Sequence, residues 1–120
     1  MASRISTEVF DLLTARSAGR CERCTATLGG QFQLHHRKGK QFNAVTDLVV
    51  LCGSSATDGR SCHWYIECKE RFQAEIDGWI VRRHALTECR NVPVFDIHVT
   101  GFWLLEDGTK VPFKTTGEEK

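Results

Sequence analysis

Hydrophobic residues recur with two different periods along this chain. Val9, Leu12 and Leu13 share one face of a helix predicted over about 6–16, with Ser6 placed to cap it and Gly19 near its end. Over 31–36 the period changes to two: Phe32 and Leu34 alternate with polar residues, as on a half-buried strand. The polar stretch 37–46 reads as a loop. LVVLC, 48–52, is an unbroken apolar run that predicts a second strand, and SSATDG, 54–59, is a loop by composition. Then the helical period returns. Trp64, Cys68, Phe72 and Ile76 recur at four-residue steps, which predicts one helix over 62–77 with a single apolar stripe, stopped by Gly78.

Beyond that helix the pattern is patchier. WIV at 79–81 predicts a short strand and Pro93–Phe95 an extended segment. Phe102–Leu105 and Lys110–Phe113 flank Asp107-Gly108, a hairpin turn signal. Trp79, Phe95, Phe102 and Trp103 are expected to pack this tail, and KTTGEEK, 114–120, to be disordered. The expected organisation is a core over 1–84, a small β appendage over 85–113 and the tail.

Composition narrows the class. The chain has 120 residues, 41% hydrophobic and 26% charged, which fits one small globular domain. No apolar run nears the ~20 residues of a membrane span, and the N-terminus lacks the apolar core of a secretory signal, so a cytoplasmic protein without a membrane partner is expected. The net charge of +1 excludes a polycation. Binding to nucleic acid would need local patches: Arg37, Lys38 and Lys40; Arg16, Arg20 and Arg23; or Arg82, Arg83 and His84.

Six cysteines in such a chain point to metal before disulfides. Cys21 and Cys24 form a CxxC, and Cys52 and Cys62 follow 28 and 38 positions after Cys24. Two pairs that meet in space make a tetrahedral zinc site of four thiolates. The insert between Cys52 and Cys62 is small and polar and can loop out. The competing readings are a redox CxxC or buried thiols. Cys68, on the stripe, is expected in the core, and Cys89 is an incidental thiol.

The pair His35-His36 stands at the end of the first predicted strand, directly before Arg37 and Lys38. Neighbours on a strand point to opposite faces. Zinc at Cys52 and Cys62 would draw His63 towards them. One histidine could then hold a divalent ion while its neighbour takes a proton from water, with Arg37, Lys38 and Lys40 on phosphates. A histidine pair alone is more simply surface polarity.

In order, CERC, LHHRK, DLVVLC and SCH resemble the HNH nucleases. Over about 18–83 the chain is similar to small HNH proteins of phages of actinobacteria, whose NLVLLCGSG…GCHGWVE and GW-x-V-R-R patterns correspond to DLVVLCGSS…SCHWYIE and GWIVRR here. WLLEDG near the end is a looser match. The resemblance implies an α+β fold: a zinc-stapled ββα-metal core with an N-terminal helix and a C-terminal β appendage. It implies that Cys21, Cys24, Cys52 and Cys62 bind structural zinc. His35 and His63 would hold a catalytic Mg²⁺ or Mn²⁺, and His36 would be the general base. The substrate would be double-stranded DNA, nicked or cut. Phage proteins of this type often assist the terminase, so its large subunit is an implied partner, and a phage-encoded chain would work in the host cytoplasm.

One position departs from the family. Asp47 stands where the middle Asn holds the loop between the strands. Asp47 could accept amide hydrogen bonds, tune a histidine or approach the metal, or be a plain turn residue; Asn43 could do the holding instead. Glu67, four residues after His63 on the same helix face, is a possible third ligand or an acceptor for His63, or a solvated carboxylate. Two rival functions remain. A catalytically weak zinc-stabilised DNA-binding or packaging-adaptor module would bind but not cut. A zinc-ribbon interaction protein would work through its tail hairpin.

Overall fold

A computed structural model describes residues 5–54 and 58–113; the tail expected to be disordered lies outside them. Helix α1, Thr7–Ser17, starts where the Ser6 hydroxyl accepts a hydrogen bond from the Val9 amide at 3.1 Å. It ends on Ala18 in the left-handed conformation. Leu13 is completely buried against Val45, Leu48 and Val50.

The next two elements form an antiparallel hairpin. Strand β1, Phe32–His36, pairs with β2, Leu48–Cys52, so that Phe32 faces Cys52 and His36 faces Leu48. The apolar run of β2 has a simple cause. Leu48 and Val50 pack towards α1, while Val49 and Leu51 pack into the main core with Ile66 and Trp79. A strand covered on both faces does not alternate.

The single helix expected over 62–77 is three pieces. Helix α2, Cys62–Trp64, is capped by Ser61, whose hydroxyl accepts from the Trp64 amide. It widens into a π-helical turn over Tyr65–Lys69, closed by the Glu70 amide donating to the Tyr65 carbonyl at 2.8 Å. The backbone then breaks at Glu70, and α3 covers Arg71–Ile76. This rotates the faces, so the four-residue stripe fails. Cys62, Ile66 and Ala74 are buried, whereas Phe72 and Ile76 are 74% and 59% exposed and Cys68 is on the surface.

Residues 79–81 do not form the expected strand; the Val81 amide instead donates to the Arg37 carbonyl. The chain reverses at Gly78, where φ is +86° and an added Cβ would lie 1.9 Å from the Pro93 carbonyl oxygen, so only glycine fits. The final sheet has the order β3 (Val94–Phe95), β4 (Gly101–Leu104), β5 (Lys110–Pro112), all antiparallel. Val94 and Leu104 share one core with Val49, Leu51 and Trp79. Trp79 therefore packs against the appendage, as expected, and against the hairpin in the same core. The fold is mixed α+β with two small sheets, and no helix among the described residues is long and apolar enough to cross a membrane.

Candidate metal centre and active site

The sulfurs of Cys21, Cys24, Cys52 and Cys62 all lie within 4.8 Å of one another. Local backbone geometry prepares them. The Cys24 amide donates to Cys21 Sγ and the Cys62 amide to Cys52 Sγ, each at 3.4 Å. Arg23 adds a cation: its guanidinium donates to Cys62 Sγ at 3.3 Å and stacks 3.9 Å over the Tyr65 ring. Cys21 and Cys62 share a proton, which lowers the Cys21 thiol to about 5 and pushes Cys62 far up. Four converging soft donors could hold a tetrahedral ion such as zinc.

The described residues of the insert between the last two cysteines, 53–54 and 58–61, are tied together. Asp58 accepts from the amides of Ser54, Arg60 and Ser61 and from the Ser61 hydroxyl. These bonds lower its carboxyl to about 2. Gly53 lets the loop close, since a Cβ there would lie 2.4 Å from Ser61 Oγ. The CxxC loop is fixed from its other side. Glu22 forms a buried pair with Arg16 at 2.7 Å and accepts from the Val50 amide at 2.9 Å. Arg16 also donates to the carbonyls of Val45 and Leu48. So Arg16 and Arg23, expected as a basic surface patch, are structural: both charges are spent inside the fold.

A second cluster lies between β1 and the π turn. One ligand atom each from His35, His63 and Glu67 lies within 4.8 Å of the others. His35 is 2% exposed. Its Nε2 lies 2.9 Å from the Trp79 carbonyl, which can only accept, so Nε2 carries the hydrogen and Nδ1 faces Glu67 Oε2 at 2.9 Å. His63 Nε2 lies 3.9 Å from the same oxygen, and its buried Nδ1 has no hydrogen-bond partner. Burial, then the neighbouring His35, lowers the His63 pKa; the close approach of the His35 ring lowers that of Glu67. Both shifts favour the forms that bind cations, a neutral imidazole and an ionised carboxylate.

His36 points away from this cluster. Its Nε2 lies 3.0 Å from Asn43 Oδ1, and Asn43 Nδ2 donates to the Lys40 carbonyl at 3.1 Å. That orientation of the amide assigns the hydrogen to Nε2 and leaves Nδ1 of His36 with its lone pair. Two open clefts of about 420 and 390 Å³ meet at these residues, both lined by His35, His36 and Glu67. Lys40 is exposed on the rim of the smaller one.

Two expectations fail, and the alternatives for a third residue, Asp47, narrow to that of an acceptor for a backbone amide. Arg37 does not reach out to phosphate: it is 1% exposed and donates to the carbonyls of Gly78, Thr46, Cys89 and Val92. Its burial lowers its pKa to about 10. Lys38 is 9% exposed, with Nζ donating to the carbonyls of Ala85 and Thr87. Loops from 78–92 cover this end of the hairpin and bring carbonyls that need donors. Asp47 takes no part in the metal cluster. Its carboxylate accepts from the Ala44 amide at 2.9 Å and lines a separate cleft beside Cys89. Burial raises the Cys89 thiol to about 11, so it stays protonated.

Two contributors were not singled out from sequence. Asp58, before Gly59 and three residues ahead of the cap Ser61, carries a recognisable Asx-turn signal. Arg71, which pairs with Glu67 Oε1 at 2.9 Å, follows Glu67 at helical spacing. No family model, no curated protein and no solved structure matches this chain, so the reading of the site rests on its own geometry.

Proposed function

We propose that the chain is a metal-dependent endonuclease of the HNH type, hydrolysing phosphodiester bonds of double-stranded DNA on a zinc-stapled ββα-metal core. One observation carries this reading. His35 and His63 converge from a strand and a helix on Glu67, while the neighbouring His36, its Nδ1 unprotonated, lines the same two clefts. A Mg²⁺ or Mn²⁺ ion held by His35, His63 and Glu67 would supply Lewis acidity for the charge that builds on the phosphate oxygens. The protein's own residues do the rest. His36 Nδ1 takes a proton from water. The hydroxide adds to phosphorus as the bond to the leaving oxygen breaks. Asn43 keeps the accepting nitrogen free, and the Trp79 carbonyl keeps the His35 ring in place. Asp47 at the family's Asn position does not undermine this, because it still secures the loop through Ala44.

The test is conversion of supercoiled plasmid to nicked circle with Mg²⁺, Mn²⁺ or neither. His36→Ala should lower the rate by ~10²–10⁴-fold, the usual scale for a general base, with zinc content and melting temperature unchanged. Zinc-loaded wild-type protein that binds DNA but leaves it uncut with every metal would replace this reading with the binding or packaging-adaptor module. For a phage protein, the implied partner is the terminase large subunit, and adding it to the same assay tests that link.

A further inference from the structure

The larger cleft runs from His36 and Glu67 to Arg82 and Arg83. Five cationic residues line it against two carboxylates, Glu67 and Glu75. Its lining among the described residues therefore carries +3, whereas the whole chain carries only +1. Arg37 and Lys38 are bound to carbonyls but still add to the field, because neither forms an ion pair with a carboxylate among the described residues. Arg71, Arg82 and Arg83 are exposed, and they come from two different elements on the cleft walls. Arg82 rests on Glu75 at 2.5 Å with its side chain 74% exposed, and Arg71 rests on Glu67 with its side chain 59% exposed. Pairs this exposed contribute little and exchange readily for phosphate. The smaller cleft, across His36 and Glu67, offers Lys40 as its one Lys or Arg.

From this asymmetry we infer that the larger cleft is the track for the nucleic-acid strand on one side of the scissile phosphate. Arg71, Arg82 and Arg83 hold its backbone, and the strand on the other side is gripped weakly through Lys40. The inference takes its ligand, a phosphodiester chain, from the nuclease reading. It makes the enzyme sensitive to backbone length on one side of the cut only. Glu75 acts as a placeholder for phosphate on Arg82.

The experiment measures binding of a short labelled DNA duplex across a salt series, using zinc-loaded protein in a His36→Ala background without added Mg²⁺ or Mn²⁺. The compared changes are Arg82→Ala with Arg83→Ala, Glu75→Gln, and Arg90→Ala. Arg90 pairs with Glu88 and Glu106 in the separate cleft beside Cys89 and Asp47 and serves as the control. Each lost phosphate contact lowers the slope of log affinity against log salt by roughly 0.9, so the double change should lower it by about 1.8. Glu75→Gln should tighten binding, and Arg90→Ala should leave the slope unchanged. An unaltered slope in the double variant, or an equal loss in Arg90→Ala, overturns the inference. Plasmid nicking by the parent protein is scored separately. A slope loss with no nicking would keep the track and remove the nuclease reading; nicking with no slope loss would do the reverse.

Discussion

The two clusters are built on opposite plans. The cysteine cluster has four donors of one kind, two of them buried, with backbone amides already aimed at the sulfurs. It is closed, and it joins α1, the hairpin and α2 into one unit. The His35–His63–Glu67 cluster has three donors of two kinds, sits where two clefts meet, and leaves room for further ligands. Structural zinc sites are filled by protein atoms, whereas catalytic sites keep positions open. The chain thus separates the ion that would hold it together from the one that would work.

The sharpest way to break that contrast is to remove one cysteine. Cys24→Ser should cost most of the fold, since zinc binding contributes ~10–16 kcal/mol in comparable small units. Loss of the thermal unfolding transition would show it, and a Cys24→Ser protein that melts like wild type would mean the four sulfurs are not a structural site. A smaller effect is expected at Asn43. In Asn43→Asp a carboxylate would face His36 and stabilise its protonated form, raising its pKa. The acid limb of the pH–rate profile for nicking should then move to higher pH, with the zinc site and melting temperature intact. A merely structural Asn43 would lower the rate at every pH alike. The smallest effect belongs to Asp47→Asn. An amide oxygen can still accept from Ala44, so stability should stay within roughly 0.5 kcal/mol and nicking should not change. A large change in nicking would place Asp47 in the reaction after all.

Local patterns in the sequence were enough for the hairpin. Phe32 and Leu34 alternate, LVVLC is unbroken, and Ser6 caps as its type predicts. The cysteine spacing announced the four-sulfur cluster, and His63 with Glu67 stood at helical spacing. What stayed hidden depends on contacts between distant segments. The break at Glu70 has no Gly or Pro to mark it. It falls where the π turn closes: the Glu70 amide donates to the Tyr65 carbonyl, and Glu70 itself leaves the helical region at φ −134° and ψ 57°. Arg37 looked like a member of a basic surface run. Its true partners lie at Thr46, Gly78, Cys89 and Val92, beyond any local window. Arg82 and Arg83 do lie exposed on a cleft wall, with Arg82 paired to Glu75.

The partners of Arg37 also set a schedule. A buried guanidinium without acceptors is costly, and the last of its acceptors, the Val92 carbonyl, lies 55 residues further along the chain. During synthesis β1 and β2 are complete long before Val92 exists. The end of β1 that carries His35 and His36 can reach its native packing only after the last acceptor has been made. The placement of the two histidines thus depends on a segment far downstream of the hairpin, a long-range contact of the kind that slows folding.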